Sequence, residues 1–119
     1  MDFISAQKHL LSKHQAKELF PFGPEVAVYK VCHKMFATLT VEEGLPRISL
    51  KCDPEEALLL REKYPAVQPG YHMNKKHWNT IFLDGSVPKE EIIRMIDNSY
   101  NLVVDNLPTD EKNRLLASK

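Results

Sequence analysis

The run Val26-Ala27-Val28-Tyr29-Lys30-Val31 is followed, after Cys32-His33-Lys34, by Met35-Phe36-Ala37-Thr38-Leu39-Thr40-Val41. These two runs decide the fold. Both are rich in β-branched residues and both alternate at a period of two, the mark of a half-buried strand. A third run, Arg47 to Cys52, repeats the pattern beyond the turn Glu42-Glu43-Gly44-Leu45-Pro46. Pairing Val31 with Met35 and Val41 with Ile48 puts Ala27, Tyr29, Val31, Met35, Ala37, Leu39, Val41, Ile48, Leu50 and Cys52 on one face. The other face then carries Val26, Val28, Lys30, Phe36, Thr38, Thr40, Arg47, Ser49 and Lys51. It is cationic, rich in hydroxyls and free of carboxylates, as a solvated sheet face or a contact surface for anions would be.

Helices flank this meander on both sides. Residues 4 to 19 read as a first helix, with Ile4, Leu10, Leu11 and Leu19 as its apolar positions. Phe20-Pro21-Phe22-Gly23-Pro24 breaks it. Asp53-Pro54-Glu55-Glu56 opens a second helix, with Asp53 as N-cap, Pro54 at the first position and Glu56 closing a capping box. That helix runs to about Tyr64, buries Leu58, Leu59 and Leu60, and stops at Pro65. A third starts at Pro88-Lys89-Glu90-Glu91 and carries the stripe Ile92, Ile96, Tyr100, Val103 and Leu107. A fourth spans Thr109 to Ala117. The expected class is α+β: a single domain over residues 1–119, with an antiparallel sheet and helices on one face.

Composition narrows the functional classes. The chain has 119 residues, 16 Lys plus Arg and 16 Asp plus Glu, so its formal net charge is 0. Neutrality gives no general pull toward nucleic acid or anionic membrane, so any such binding must come from local charge. The aliphatic runs are too short to span a bilayer. The start of the chain lacks the apolar stretch of a signal peptide. Cys32 and Cys52 form neither a C-x-x-C pair nor a disulfide framework, so a cytoplasmic protein with free thiols is expected.

Positive charge is concentrated in one segment. Val67 to Leu83 holds Lys75 and Lys76 and no acid, a balance of +2. Asp53 to Ala66 holds four acids against two bases, a balance of −2. Lysines make sequence-independent phosphate contacts, Asn74 suits an adenine edge or a phosphate, and Tyr71 or Trp78 suits base stacking. The plain alternatives are solvated lysines, an Asn74 that caps a turn starting at Lys75, and a Trp78 that belongs to the core. His72 and His77 are five residues apart, off the i, i+4 spacing of a helical metal pair, and no third ligand is evident. No metal or cofactor is expected. The sequence contains no G-x-S-x-G, H-E-x-x-H, Walker or G-x-G-x-x-G motif, so no enzymatic activity is expected.

Several stretches together resemble the YjbR (MmcQ/YjbR) family. They are Gly23-Pro24-Glu25-Val26, Tyr29-Lys30-Val31, Lys34-Met35-Phe36-Ala37, Leu50-Lys51-Cys52-Asp53-Pro54, Leu60-Arg61, Pro69 to Asn79 and Ser99-Tyr100. The resemblance covers roughly residues 20 to 107, and Asn-Lys-x-His-Trp at Asn74 to Trp78 is its most specific part. It departs from the family at Cys32-His33, where members often place glycine. The resemblance implies a small cytoplasmic α+β protein without enzymatic activity that binds double-stranded DNA through a double-wing surface. The expected contact residues are Lys30, Lys34, Lys51, His72, Asn74, Lys75, Lys76, His77 and Trp78. Lys30, Lys51 and the lysine pair are expected to converge on one groove. An acidic protein partner and a small-ligand site around His72, His77 and Trp78 are the competing readings. A monomer is favoured.

Overall fold

The computed structural model describes residues 1–119. The elements run α1 (Phe3–Ser12), β1 (Lys17–Leu19), β2 (Val26–Val31), β3 (Lys34–Glu42), β4 (Leu45–Lys51), α2 (Pro54–Lys63), β5 (Val67–Pro69), β6 (Trp78–Phe82), α3 (Lys89–Asp105) and α4 (Thr109–Ala117). Six antiparallel strands form one sheet in the order β1-β2-β3-β4-β6-β5. The helices pack on one face, α3 lying across β2, β3 and β4. The expected α+β architecture is the observed one.

The meander holds its expected register over most of its length. Val26 stands opposite Thr40 and the pairing continues to Tyr29 opposite Ala37. Beyond that it slips by one residue at a bulge, so Lys30 meets Met35 and Val31 meets Lys34 rather than Met35. The cause is the turn. Cys32 and His33 alone form it, with φ of 48° and 66°. Two successive positive φ values give the tight hairpin turn whose twist matches that of the strands. The bulge turns Phe36 toward the helices, against expectation. Phe36 is fully buried, edge-on to Tyr100 at 5.4 Å and 88°. At the second hairpin, Glu43 and Gly44 form the turn and Val41 meets Pro46. Ile48 therefore pairs with Leu39. This is a shift of two from the expected pairing, so each side chain keeps its face.

Two helical expectations fail for identifiable reasons. α1 ends at Ser12, and Lys17–Leu19 is an edge strand rather than the last turn of a helix. Glu18 holds that strand in place: its Oε2 accepts hydrogen bonds from the Tyr29 hydroxyl at 2.5 Å and from Gln7 Nε2 at 3.0 Å. Leu11 and Leu19, counted as apolar helix positions, are exposed. In α2, Ala57 and Leu60 are buried while Leu58 and Leu59 face outward. Glu56 does not fold back to Asp53. It accepts a hydrogen bond from Arg94 of α3 at 2.7 Å. Asp53 caps the helix as read, accepting from the Glu55 N–H at 3.0 Å.

The core fills the space between α1, α3 and the sheet, with Tyr29, Phe36, Leu39, Ile48, Ile81 and Ile96 all buried. The opposite face is not simply solvated. Val28, Thr38, Ser49 and Thr80 on that face are buried. Val41, expected in the core, is exposed near the end of its strand.

Candidate nucleic-acid interface

The segment from Gly70 to His77 is a loop between the two short strands β5 and β6, and it is moored from below. Arg61 of α2 reaches across to it. Its Nε donates to Asn79 Oδ1 at 2.7 Å, and its terminal nitrogen donates to the carbonyls of Trp78, at 3.3 Å, and of Lys75. Asn79 is buried and turns its amide toward the Ala57 carbonyl at 3.4 Å. Asn74 closes the turn from within. Its Oδ1 accepts from the Lys76 N–H at 2.9 Å, and its carbonyl accepts from the N–H groups of His77 and Trp78. The capping role read for Asn74 is the observed one. Gly70 N–H donates to the Trp78 carbonyl at 2.8 Å, and the Lys75 ammonium returns to the Gly70 carbonyl at 3.1 Å.

The fold sorts the expected contact residues into three places. Lys51, Asn74, His77 and Trp78 share a cleft of about 450 Å³ with Asp53 and Asn106. Lys75 and Lys76 are exposed on the adjoining loop. His72 lies elsewhere, with a positive φ of 58° and its ring 4.0 Å from that of Tyr71, in a cavity on the open sheet face. His72, His77 and Trp78 therefore do not form one pocket. Lys30 stands opposite Lys17 at the β1–β2 edge and lines a third cleft with His33, Arg114 and Glu111. Lys34 is exposed beside the first hairpin turn. The expected single groove is thus divided, with Lys30 and Lys51 lining separate clefts.

Lys30, Lys34, Lys51, Lys75 and Lys76 take part in none of the chain's ion pairs, which use Lys13, Arg47, Arg94 and Lys112 instead. Asp53, the acid lining the Lys51 cleft, is engaged at the N-terminus of α2. Arg47 is not a free cation of the open face, because Glu42 pairs with it. Glu42 and Glu25 both line the open-face cavity, so that face is not free of carboxylates. Cys52 is not a ready nucleophile at the Lys51 cleft. Burial first, then the charges of Glu56 and Asp53, push the Cys52 thiol up to about 11, which leaves it almost wholly protonated at neutral pH. No group of three or more His, Cys, Asp or Glu side chains is placed to hold a metal ion, and no helix is long and apolar enough to cross a membrane.

Sequence reasoning did not find the part Arg61 plays in holding the loop. Two of its partners are main-chain carbonyls distant in sequence, and no side-chain motif records such contacts.

The comparisons with known proteins agree with this geometry at the level of fold and family. The YjbR family model matches residues 11–102. The chain is 39% identical over 113 residues to the Escherichia coli O157:H7 protein YbdF, covering 90% of this chain and 93% of that one. It is 45% identical over 88 residues to YjbR of Escherichia coli K12, covering 74% of each. Both relatives are named as uncharacterized proteins. Among solved structures, the Deinococcus radiodurans protein DR2400 superposes with a TM-score of 0.86 at 36% identity, over 92% of this chain and 83% of that one. A Pseudomonas syringae protein superposes with a TM-score of 0.75 at 30% identity, over 86% and 98% respectively. With this six-stranded sheet and this family match over most of its length, the chain belongs to the YjbR family.

Proposed function

We propose that the protein binds double-stranded DNA without catalysing a reaction on it, gripping phosphates through Lys51, Lys75 and Lys76. The observation that supports this reading is that Lys51 lines a cleft with Asn74, His77 and Trp78, beside the moored loop that carries Lys75 and Lys76, and that none of the three lysines is in an ion pair. Arg61 and Asn74 hold the backbone that presents Lys75 and Lys76, so less loop freedom is lost on contact. Asn74, His77 and Trp78 supply polar and aromatic neighbours beside the lysines. Phosphate contacts position a protein without specifying sequence, so the binding is expected to be indifferent to sequence. Zero net charge keeps the affinity modest, about micromolar or weaker at physiological salt.

Fluorescence anisotropy with a labelled duplex of roughly 20 base pairs, read across a salt series, tests this. Wild-type binding is expected to weaken steeply with salt. In Lys75→Ala/Lys76→Ala the log–log salt slope becomes shallower by about 1.8, from two contacts at about 0.9 each. Absence of binding even at low salt defeats the reading. Salt-dependent capture of an acidic protein by a chain indifferent to DNA would transfer the same lysines to a protein partner.

A further inference from the structure

The open face of the sheet, away from the helices, carries a cavity of about 460 Å³, within the range of small-molecule sites. Its floor is made of hydroxyls from three neighbouring strands: Thr38 and Thr40 of β3, Ser49 of β4 and Thr80 of β6. The Ser49 and Thr80 hydroxyls are 2.8 Å apart, and Thr80 Oγ1 also accepts the Tyr71 N–H at 3.0 Å. Phe22 contributes to one wall from the β1–β2 connection, and the Tyr71-His72 pair contributes to another. Phe22 is 73% exposed, the most exposed large apolar side chain of the protein.

Arg47 also lines this cavity, and its bonding is incomplete. Its guanidinium carbon sits 5.2 Å from the ring centroids of both Tyr71 and Phe82. One terminal nitrogen pairs with Glu42, whose side chain is 55% exposed. Nε is buried and has no acceptor, the one side-chain nitrogen or oxygen in the chain in that condition. A buried donor left unbonded costs about 1–3 kcal/mol, so such groups are rare without a reason. The edge of a guanidinium made by Nε and its neighbouring amino group matches the two oxygens of a carboxylate. Glu42 engages the terminal part of the fork and leaves Nε empty.

We propose that this cavity binds a small aryl carboxylate. The carboxylate displaces Glu42 from Arg47 and engages both nitrogens of the fork, while the ring lies between Phe22 and Tyr71 above the hydroxyl floor. The ligand's carboxylate takes the place of Glu42's at Arg47, while Glu25 and the released Glu42 remain at the lining and disfavour any further negative charge, so a monoanion is specified. Arg47 lies beside two rings and its side chain is only 19% exposed, which lowers the desolvation cost of forming the pair. The site shares Tyr71 and His72 with the start of the lysine loop but uses neither lysine, and it does not depend on DNA binding.

Titration of the isotopically labelled protein with phenylacetate and with indole-3-acetate, followed by amide chemical shifts, tests the proposal. Phenylacetamide is the uncharged control. At least one acid is expected to give saturable shifts at Tyr71, His72 and Thr80, with affinity of about millimolar for so small a ligand. The amide is expected to bind roughly tenfold more weakly or less, having lost the charge-assisted contact. Arg47→Lys keeps the charge but not the fork and should lose the preference for acid over amide. Phe22→Ala alters an exposed ring, leaves the fold intact and should weaken the acid severalfold. Lys75→Ala/Lys76→Ala should bind it as wild type does. Failure of both acids to saturate these shifts overturns the proposal, as does equal binding of the amide or an unchanged preference in Arg47→Lys.

Discussion

At Gly70 the backbone passes so close to Trp78 that an added Cβ would lie 2.7 Å from the tryptophan Cβ and 3.0 Å from its carbonyl oxygen. Trp78 is held in a strand and cannot withdraw without breaking pairs in β6. Gly70→Ala is therefore expected to destabilise the fold by about 1–3 kcal/mol, read from urea denaturation midpoints at constant slope. Arg61 is the second such position. Arg61→Ala leaves the buried Asn79 carbonyl oxygen without its donor, and about 1–3 kcal/mol should be lost. Arg61→Lys should recover little of it, because one ammonium cannot reproduce a planar fork spanning Asn79 and two carbonyls. Recovery of full stability in the lysine variant would show that charge alone moors the loop. Asn74 was legible in the sequence because its partner lies two residues away. Arg61 was not, because its partners lie 14 to 18 residues on.

Elements were legible wherever a period persisted. The alternation of β2, β3 and β4 and the stripe of α3 each run long enough to declare themselves. Short elements did not: β1 and β5 have three residues each, too few for a period. The bulge between β2 and β3 escaped as well, because it depends on how a two-residue turn meets the strand pairing. Its structural complement lies in α3. The buried Ser99 hydroxyl donates to the Phe36 carbonyl at 2.6 Å and accepts the Lys51 N–H at 2.9 Å. It thereby bonds to main-chain groups of both β3 and β4. Ser99→Ala should leave both unsatisfied and cost about 1–3 kcal/mol. Loss of hydrogen-exchange protection at the Lys51 amide, ahead of global unfolding, would locate the damage at this seam.

For the molecule as a whole, acid is the expected weakness. Asp97 of α3 meets His9 of α1 at 2.8 Å and Lys13 just beyond α1 at 2.9 Å, tying the N-terminal helix to the core. Burial alone would raise the Asp97 pKa, but the bonds from Lys13 and His9 together hold it below the ordinary aspartate value of 3.8. Arg94 first of all lowers Glu91 in the same way, against a smaller opposing effect of burial. A carboxylate whose folded pKa is depressed contributes stability that is complete above its unfolded pKa and is lost as pH falls through the folded one. Urea denaturation between about pH 5 and about pH 2 should show stability falling most steeply below the ordinary carboxylate range. Asp97→Asn should start lower and fall less steeply. An identical slope in that variant would place the acid sensitivity elsewhere. The candidate site was half legible at this scale. Counting charge along the chain located the Lys75–Lys76 loop, whereas only the folded chain separates His72 from His77 and divides Lys30 from Lys51.

The three-residue edge strands have a consequence for life at high concentration. A sheet recruits neighbours through its unpaired rims, and a long flat rim is a template on which identical molecules stack into fibres. Here each rim offers only a few rungs. β5 ends in Pro69, which has no N–H to give, and β1 begins with the charged Lys17. The four longer strands are all interior. A crowded solution of this protein therefore offers a growing fibril almost nothing to add to.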